Sequence, residues 1–538
     1  MPNLPLRSLG DVGVITDQDP FNLPLNAYTR AKNVRFDQGN IRRSPAFRDV
    51  KDLSIVPAFV EGIYNAAGYD SLIIVDTSFD IYTMTNNTVT LDYNSSAGTT
   101  TAPLVTATSL ANVLYLNRED QTPLYKTPAM NNFAPLVNWP SGYKCKALRT
   151  FGDFLIALHT TESATEFPTR VRFSNIALAN AAPDSWDASD TTKSAGFNDL
   201  VEMDTPIVDG ASLGANFLIY SASQVWLMEF VGGTFIFNFR KLFNDVGVIN
   251  TNCVVEVAGR HYVFDQNDIY TTDGVSRQSI VDGRVKDYIF NGIDSTSTGR
   301  CFVQYDPQRE EIYFCYKSAD DMAEFTNGEG CNRAAVYNYI NDTWSFLDLP
   351  NVYSGSTANV DTVATYDSVA ATDIYSTYGG TYASQDSGFT RHVLMASQQN
   401  TTDGLTSARI YGLDGINQDS LLSQTLNTVA TKAPLIERIG IDLDESGLPL
   451  TGYKNIRRIA PQFSTVASNK NFSVTFGAAD FPNNVPSYET TQTYDSSSDY
   501  KIDSRAAGRY LSYKVETPDN KDFALSGFDF DVVSTGRR

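Results

Sequence analysis

Three histidines, His159, His261 and His392, are the first residues to weigh in this chain, because imidazole is the commonest proton shuttle and metal ligand. The Cys and Glu residues around them do not stand at metal-ligand spacing. His261 lies in an apolar strand and His159 ends one, so both read as structural. The run Asp442-Leu443-Asp444-Glu445-Ser446-Gly447 opens like a calcium loop, with oxygen ligands at alternate positions and Gly at the sixth. The twelfth position should carry a bidentate Glu and is Tyr453, so a turn is the better reading. Asp265, Asp268 and Asp273 are also turn-placed carboxylates. Two of them could act as acid and base on opposite sides of a sugar. A chain with 62 acidic residues produces such pairs by chance, however. No Gly-x-x-x-x-Gly-Lys-Ser/Thr phosphate loop and no Gly-x-Ser-x-Gly elbow occurs. The sequence thus assigns no catalytic residue, no metal ligand and no cofactor.

Charge narrows the partners. The net charge is −21, with 41 Lys and Arg against 62 Asp and Glu. Non-specific grip on nucleic acid needs a basic surface that releases counterions, and the chain as a whole lacks one. Arg42-Arg43 beside a Pro-rich stretch stays open between an interface role and a solvated strand end. The pair Arg457-Arg458 reads as strand-end charge. The five cysteines, Cys145, Cys253, Cys301, Cys315 and Cys331, are odd in number and show no Cys-x-x-Cys. They are expected to be reduced and mostly buried, although Cys301 and Cys315 flank one expected hairpin. No stretch approaches the ~20 apolar residues of a membrane helix. The longest candidate, Val225–Phe239, is broken by Glu229, Gly232 and Gly233. The opening MPNLPLRSLGDVGV has no leader-like apolar run, so neither a signal peptide nor a membrane anchor is expected.

The elements that would position these groups are strands. Hydrophobic residues make up 42% and charged residues 19%, which is the balance of a folded protein. Tyr 29 and Phe 31 favour strands over helices. Ser109–Ala111 and Ile176–Ala182 are the better helix candidates, and both are short. From Ala58 onward, strand–turn–strand units recur, among them SLIIVDTSFDIYTM, NFLIYSASQVWLMEF and RCFVQYDPQREEIYFCYK. A meander repeated this often must close on itself or leave sticky edges. The expected fold is all-β, a β-propeller-based body over 48–433; two stacked sandwiches would give a similar string. Residues 434–538 alternate with period two and read as a smaller C-terminal β-sandwich-like domain. Residues 1–47, with Pro20, Pro24 and Pro45, read as an extended N-terminal assembly arm carrying a hairpin around Asp37-Gln38-Gly39-Asn40. Phe21 and Tyr28 on that arm are expected to be exposed. Asn86–Pro103 and Tyr353–Thr390 read as loop insertions.

The order of motifs resembles the tail nozzle (tail tubular, or hub-type) proteins of short-tailed bacteriophages. The opening GVITDQDPFNLPLNAYTRAKNVRFDQGNIRRSPAF is similar to that family's N-terminal signature through Pro24, Asn26, Ala31, Asn33, Val34, Arg35, Phe36, Gly39 and Arg42. RVRFSN, then PDSWD, IVDGASLG and FVGGTFIFNFRKLFNDVG follow in the same order, and the finish GRYLSYKVETPDNKDFALSGFDFDVVSTGRR resembles the family's last strand pair. The resemblance implies a non-enzymatic virion subunit, made in the host cytoplasm, forming a hexameric homo-oligomer ring at the tail end. Such a ring closes the tail channel, retains the packaged genome, opens for DNA ejection, and docks an adaptor and tail fibres. Genomic DNA would pass without tight binding. Phe21, Pro24, Asn26, Tyr28, Asn33, Arg35, Phe36, Arg42 and Arg43 are the assembly residues this reading selects. The rival readings are a propeller-type polysaccharide-degrading enzyme and a host-surface binding module.

Overall fold

The computed structural model describes residues 3–63, 70–85, 88–95, 98, 104–233, 235–320, 323–359, 391–414, 427–448, 452–465, 467–482, 484–517 and 521–536. Its regular structure is nearly all β, as expected. Among the described residues Lys286–Gly292 is the one α-helix.

Five consecutive four-stranded antiparallel sheets fill residues 57–93, 105–135, 144–199, 207–243 and 254–279, each a simple meander. The second strand of a sheet is typically a short apolar run buried on both faces, as in Ser71–Asp76, Asn216–Ser221 and Arg260–Phe264. Continuous apolar runs of this length suit strands covered on both sides. A seven-stranded sheet follows, in the order Phe302–Asp306, Glu311–Tyr316, Cys331–Asn338, Thr343–Ala358, His392–Ser397, Ala408–Asp414 and Ala46–Leu53. Its last strand comes from the other end of the sequence.

The first strands of the sheets touch one another in succession. Pro57–Ile63 meets Val105–Leu110, which meets Lys144–Phe151, then Ile207–Leu213, Val254–Val257 and Phe302–Asp306. The long strand Thr343–Ala358 touches both Phe302–Asp306 and Pro57–Ile63. Its contact with the first sheet is close. The Val60 amide donates to Ser354 Oγ at 3.3 Å and the Gly62 amide to Ser356 Oγ at 2.9 Å. A Cβ on Gly62 would stand 2.6 Å from the Thr357 carbonyl oxygen.

Two further sheets combine strands from both ends of the sequence. One runs Ile502–Asp503, Tyr453–Ser464, Ala524–Gly536, Asn40–Arg43, Val34–Asp37, with Asn3–Arg7 also paired to Ala524–Gly536. The other runs Ser487–Tyr488, Asn471–Ala479, Tyr510–Glu516, Leu435–Ile441, Arg30–Lys32. They meet through rings, Tyr513 of the second sheet lying against Phe528 and Phe530 of the first.

Several expectations are corrected. The first 47 residues are not an extended arm: their strands pair into four sheets, and Tyr28 is fully buried, stacked on Phe36 at 5.6 Å. The prolines exclude a long helix, but they sit between short strands and do not prevent pairing. Ser109–Ala111 ends a strand, with Ala111 and Asn112 both at positive φ in the two-residue turn to Val113. That geometry suits a hairpin and excludes a helix. Ile176–Ala182 is irregular and reaches across to the second sheet, the Asn180 amide donating to the Ala111 carbonyl at 2.7 Å. Within the stretch read as a loop from Asn86, Thr88–Tyr93 is a strand, because Thr and Val alternate there with polar residues. Tyr353–Ala358 likewise continues the long strand. The rest of both insertions lies largely outside the described residues. The hairpin around Gln38 and Gly39 forms as expected, both residues at positive φ.

Gly→Ala substitutions commonly stabilise by ~0.4–1 kcal/mol through the unfolded chain. Gly62→Ala is expected to do the opposite and destabilise by ~1–3 kcal/mol, because the added methyl overpacks the contact with Thr357. Urea unfolding reads the sign directly; an unchanged or raised midpoint would show that this contact is loose.

Candidate functional site

The residues selected from the N-terminal motif are brought together, but as an internal seam. Asn33 is its centre. It sits at φ 56 and is buried. Its amide nitrogen donates to the Phe346 carbonyl at 2.7 Å, its Nδ2 donates to Asp348 Oδ2 at 2.8 Å, and its Oδ1 accepts from the Asp348 amide at 3.0 Å. One Asn thereby replaces a strand partner along Thr343–Ala358. Arg35 Nε donates to Glu311 Oε1 at 2.9 Å, and the Glu311 carboxylate also accepts from the Tyr313 hydroxyl at 2.8 Å. Arg43 Nη2 donates to the Lys432 carbonyl at 2.8 Å, and Arg42 pairs with Asp37 at 3.3 Å. Phe36 is buried under Tyr28, Phe21 packs on Tyr510 at 6.4 Å, and Asn26 Nδ2 donates to the Ser8 carbonyl at 3.2 Å. Pro24 is exposed, its carbonyl accepting from the Ala27 amide. The motif therefore fastens the two mixed sheets to the seven-stranded sheet.

A second site was not legible in the sequence. The first strands of the sheets, with the second half of Thr343–Ala358, surround a cavity of about 420 Å³. Arg149 spans part of it, its guanidinium donating to both oxygens of Asp209 at 2.8 and 2.7 Å and to Asn252 Oδ1 at 2.8 Å. Asn252 returns its amide nitrogen to Asp209 at 2.8 Å and its Nδ2 to the Val105 carbonyl at 2.9 Å. Glu61 lines the same cavity. Burial raises its carboxyl to about 7, against the opposing pull of Arg149. Glu61, Arg149 and Asp209 are unremarkable in their own strands, and Asn252 sits in a turn at φ 64. They come together where the first strands of successive sheets touch.

The other chemistry-bearing groups do not converge. His261 is buried, with Nδ1 2.7 Å from the Tyr220 hydroxyl and Nε2 2.8 Å from the Ser212 carbonyl, and burial lowers it to about 4. It is a neutral structural residue. His159 lies 2.6 Å from Glu166 on the neighbouring strand. Asp273 holds its own turn through the Val275 and Ser276 amides, and Asp268 accepts from Ser279 at 2.6 Å. Asp265 is raised to about 6 by burial, yet neither it nor Asp268 lines the central cavity. The calcium-like run is a short 3-10 turn, with Gly447 at φ 79. All five cysteines are buried free thiols. Among the described residues no group of three or more His, Cys, Asp or Glu side chains is placed to hold a metal, and no helix is long and apolar enough to cross a membrane.

No family model matches this chain, and none of the curated proteins is similar enough to count as a relative.

Two outcomes follow from these geometries. Asn33→Ala strips the buried Asp348 carboxylate of its closest donor, so unfolding free energy should fall by ~1–3 kcal/mol; Asn33→Gly, which keeps positive φ without strain, should lose less than Asn33→Ala. Glu61 is raised in the folded state. Its contribution is thus complete below its unfolded value near 4.5 and is lost as pH rises through about 7. The full displacement corresponds to ~3 kcal/mol, and since Glu61 is only half-buried on a cavity, ~1–2 kcal/mol is expected. Glu61→Gln should gain that much over wild type at pH 8 and nearly none at pH 5, read by urea midpoints at each pH.

Proposed function

We propose that this chain is a structural subunit of a short-tailed phage tail nozzle, built on a closed seven-bladed propeller with a sandwich formed by the two mixed sheets. The observation that carries the reading is the seam. Of the motif residues that resemble the nozzle family, Asn33 and Arg35 bind the N-terminal strands to the seven-stranded sheet, while Phe36 and Arg42 brace the N-terminal segment itself. A signature that joins one set of sheets to another fits a part that transmits force and shape. In the propeller reading, the first strands of the sheets are inner strands. Thr343–Ala358 serves two neighbouring blades, and Ala46–Leu53 supplies the outer strand of the last one. Closure of this kind removes sheet edges.

The reading also locates the DNA path. A cavity of about 420 Å³ crossed by the Arg149–Asp209 pair cannot admit a duplex. The bore must then be enclosed by faces of several subunits, which is what a hexameric ring provides. With 21 excess acidic charges per subunit, such a bore repels the phosphate backbone at short range and lets DNA slide. Retention before ejection then rests on a steric gate, with adaptor and fibres docked around the ring.

Electron microscopy of the purified protein, alone or with tail components, is the test. Rings of six subunits are expected, together with no sub-micromolar binding of duplex DNA at ~0.15 M salt. A monomer that releases reducing sugar from capsular polysaccharide would replace this reading with an enzymatic one.

A further inference from the structure

The central cavity has a donor–acceptor imbalance. Many of its wall donors are spent on the wall. Arg149 is committed to Asp209 and Asn252, Asn250 Nδ2 to the Gly299 carbonyl at 2.9 Å, Ser212 Oγ to the Thr150 carbonyl at 2.8 Å, and Thr108 Oγ1 to Thr150 Oγ1 at 3.2 Å. Acceptors remain. The Glu61 carboxylate makes no hydrogen bond and no ion pair with any described residue, and Gln304 spends its Nε2 on the Tyr305 carbonyl and Thr357 while its Oε1 accepts nothing from them. Charge points the same way. Glu61, Asp209 and Glu256 line the cavity against Arg149 and Arg300, and Arg300 is further shared with Glu329 at 3.3 Å and lies over the Tyr353 ring at 4.7 Å.

An unpaired carboxylate in an acceptor-rich cavity calls for an occupant that brings donors and positive charge. A hard divalent cation wants six or more oxygen ligands, with several carboxylates close together. Such a cluster is missing among the described residues. An ammonium group asks for less: three acceptors around one compact charge. We propose that this cavity binds a small alkylammonium compound, with the Glu61 carboxylate as its counter-ion and Gln304 Oε1 as a neutral acceptor in the same lining. The site depends on the cavity wall alone and is independent of the assembly the chain enters.

Isothermal titration calorimetry of the full chain tests this with putrescine and methylammonium, against NaCl and MgCl₂ at matched ionic strength. Saturable binding of the amines at pH 8 is expected, weakened at least tenfold in Glu61→Gln. The charged and phenolic groups that line the cavity with Glu61 are Arg149, Asp209, Glu256, Arg300 and Tyr353; Arg149 acts on it directly, and Glu61 is the one displaced to about 7. Wild type should therefore also lose amine affinity at least tenfold at pH 5.5, which checks the site without any substitution. Undiminished binding by Glu61→Gln, no saturable binding at pH 8, or equal binding of magnesium would each overturn the proposal.

Discussion

The strand Thr343–Ala358 is the constraint on which the rest of the molecule depends. Its first half pairs with Cys331–Asn338 and its second half with His392–Ser397, so one continuous backbone belongs to two sets of neighbours. The switch between them is made at Asn351, held at φ 53. There Oδ1 accepts from the Gly330 amide at 2.8 Å and Nδ2 donates to the Gln398 carbonyl at 3.1 Å. A left-handed Asn with both ends of its amide engaged bends the strand and satisfies the groups that the bend frees. The same strand then meets the first sheet through Ser354 and Ser356, and the N-terminal segment through Phe346 and Asp348. The first sheet, the seven-stranded sheet and the N-terminal segment all meet on it.

What the sequence could tell followed from range. Local features were legible: the apolar runs of Ser71–Asp76 and Arg260–Phe264, the Gln38-Gly39 turn, and the absence of long helices. These depend on residues a few positions apart, where propensity and turn chemistry act. The role of residues 3–43 was not legible. Their partners lie hundreds of positions away, and short strands such as Arg30–Lys32 have no periodicity long enough to read. Burial of Tyr28 and Phe36 is likewise a property of the assembled sheets and not of the local pattern. The surroundings of the motif residues were not legible. Asn33 and Arg35 face inward to Asp348 and Glu311, with none of the solvent-facing character expected of an arm.

The central cavity was least legible of all. Glu61, Arg149 and Asp209 come from three different sheets, and Asn252 sits in the turn before a fourth. Their meeting is a consequence of how the first strands of successive sheets lie against one another. A buried guanidinium–carboxylate pair of this kind adds little net stability compared with an apolar substitute, because desolvation offsets attraction. Its value is directional. Arg149 can satisfy its donors in one arrangement of neighbouring sheets, which helps specify how many strands stand around it.

The pairing of Asn3–Arg7 with Ala524–Gly536 has a bearing on synthesis. Arg7 donates to the Phe528 carbonyl across 521 positions of sequence. On a ribosome, the strands near residues 3–43 emerge first and must wait, edges open, until residues near 530 appear. Loop closure over such a span is slow, and an unpaired strand is a template for other chains. The polar and charged residues scattered through these strands, such as Arg7, Lys32 and Arg42, act as gatekeepers during that interval. Cooperative completion of the fold is thus deferred to the last strand, and any translation product that stops short of it leaves a nearly finished body with exposed backbone, suited to recognition by cellular quality control.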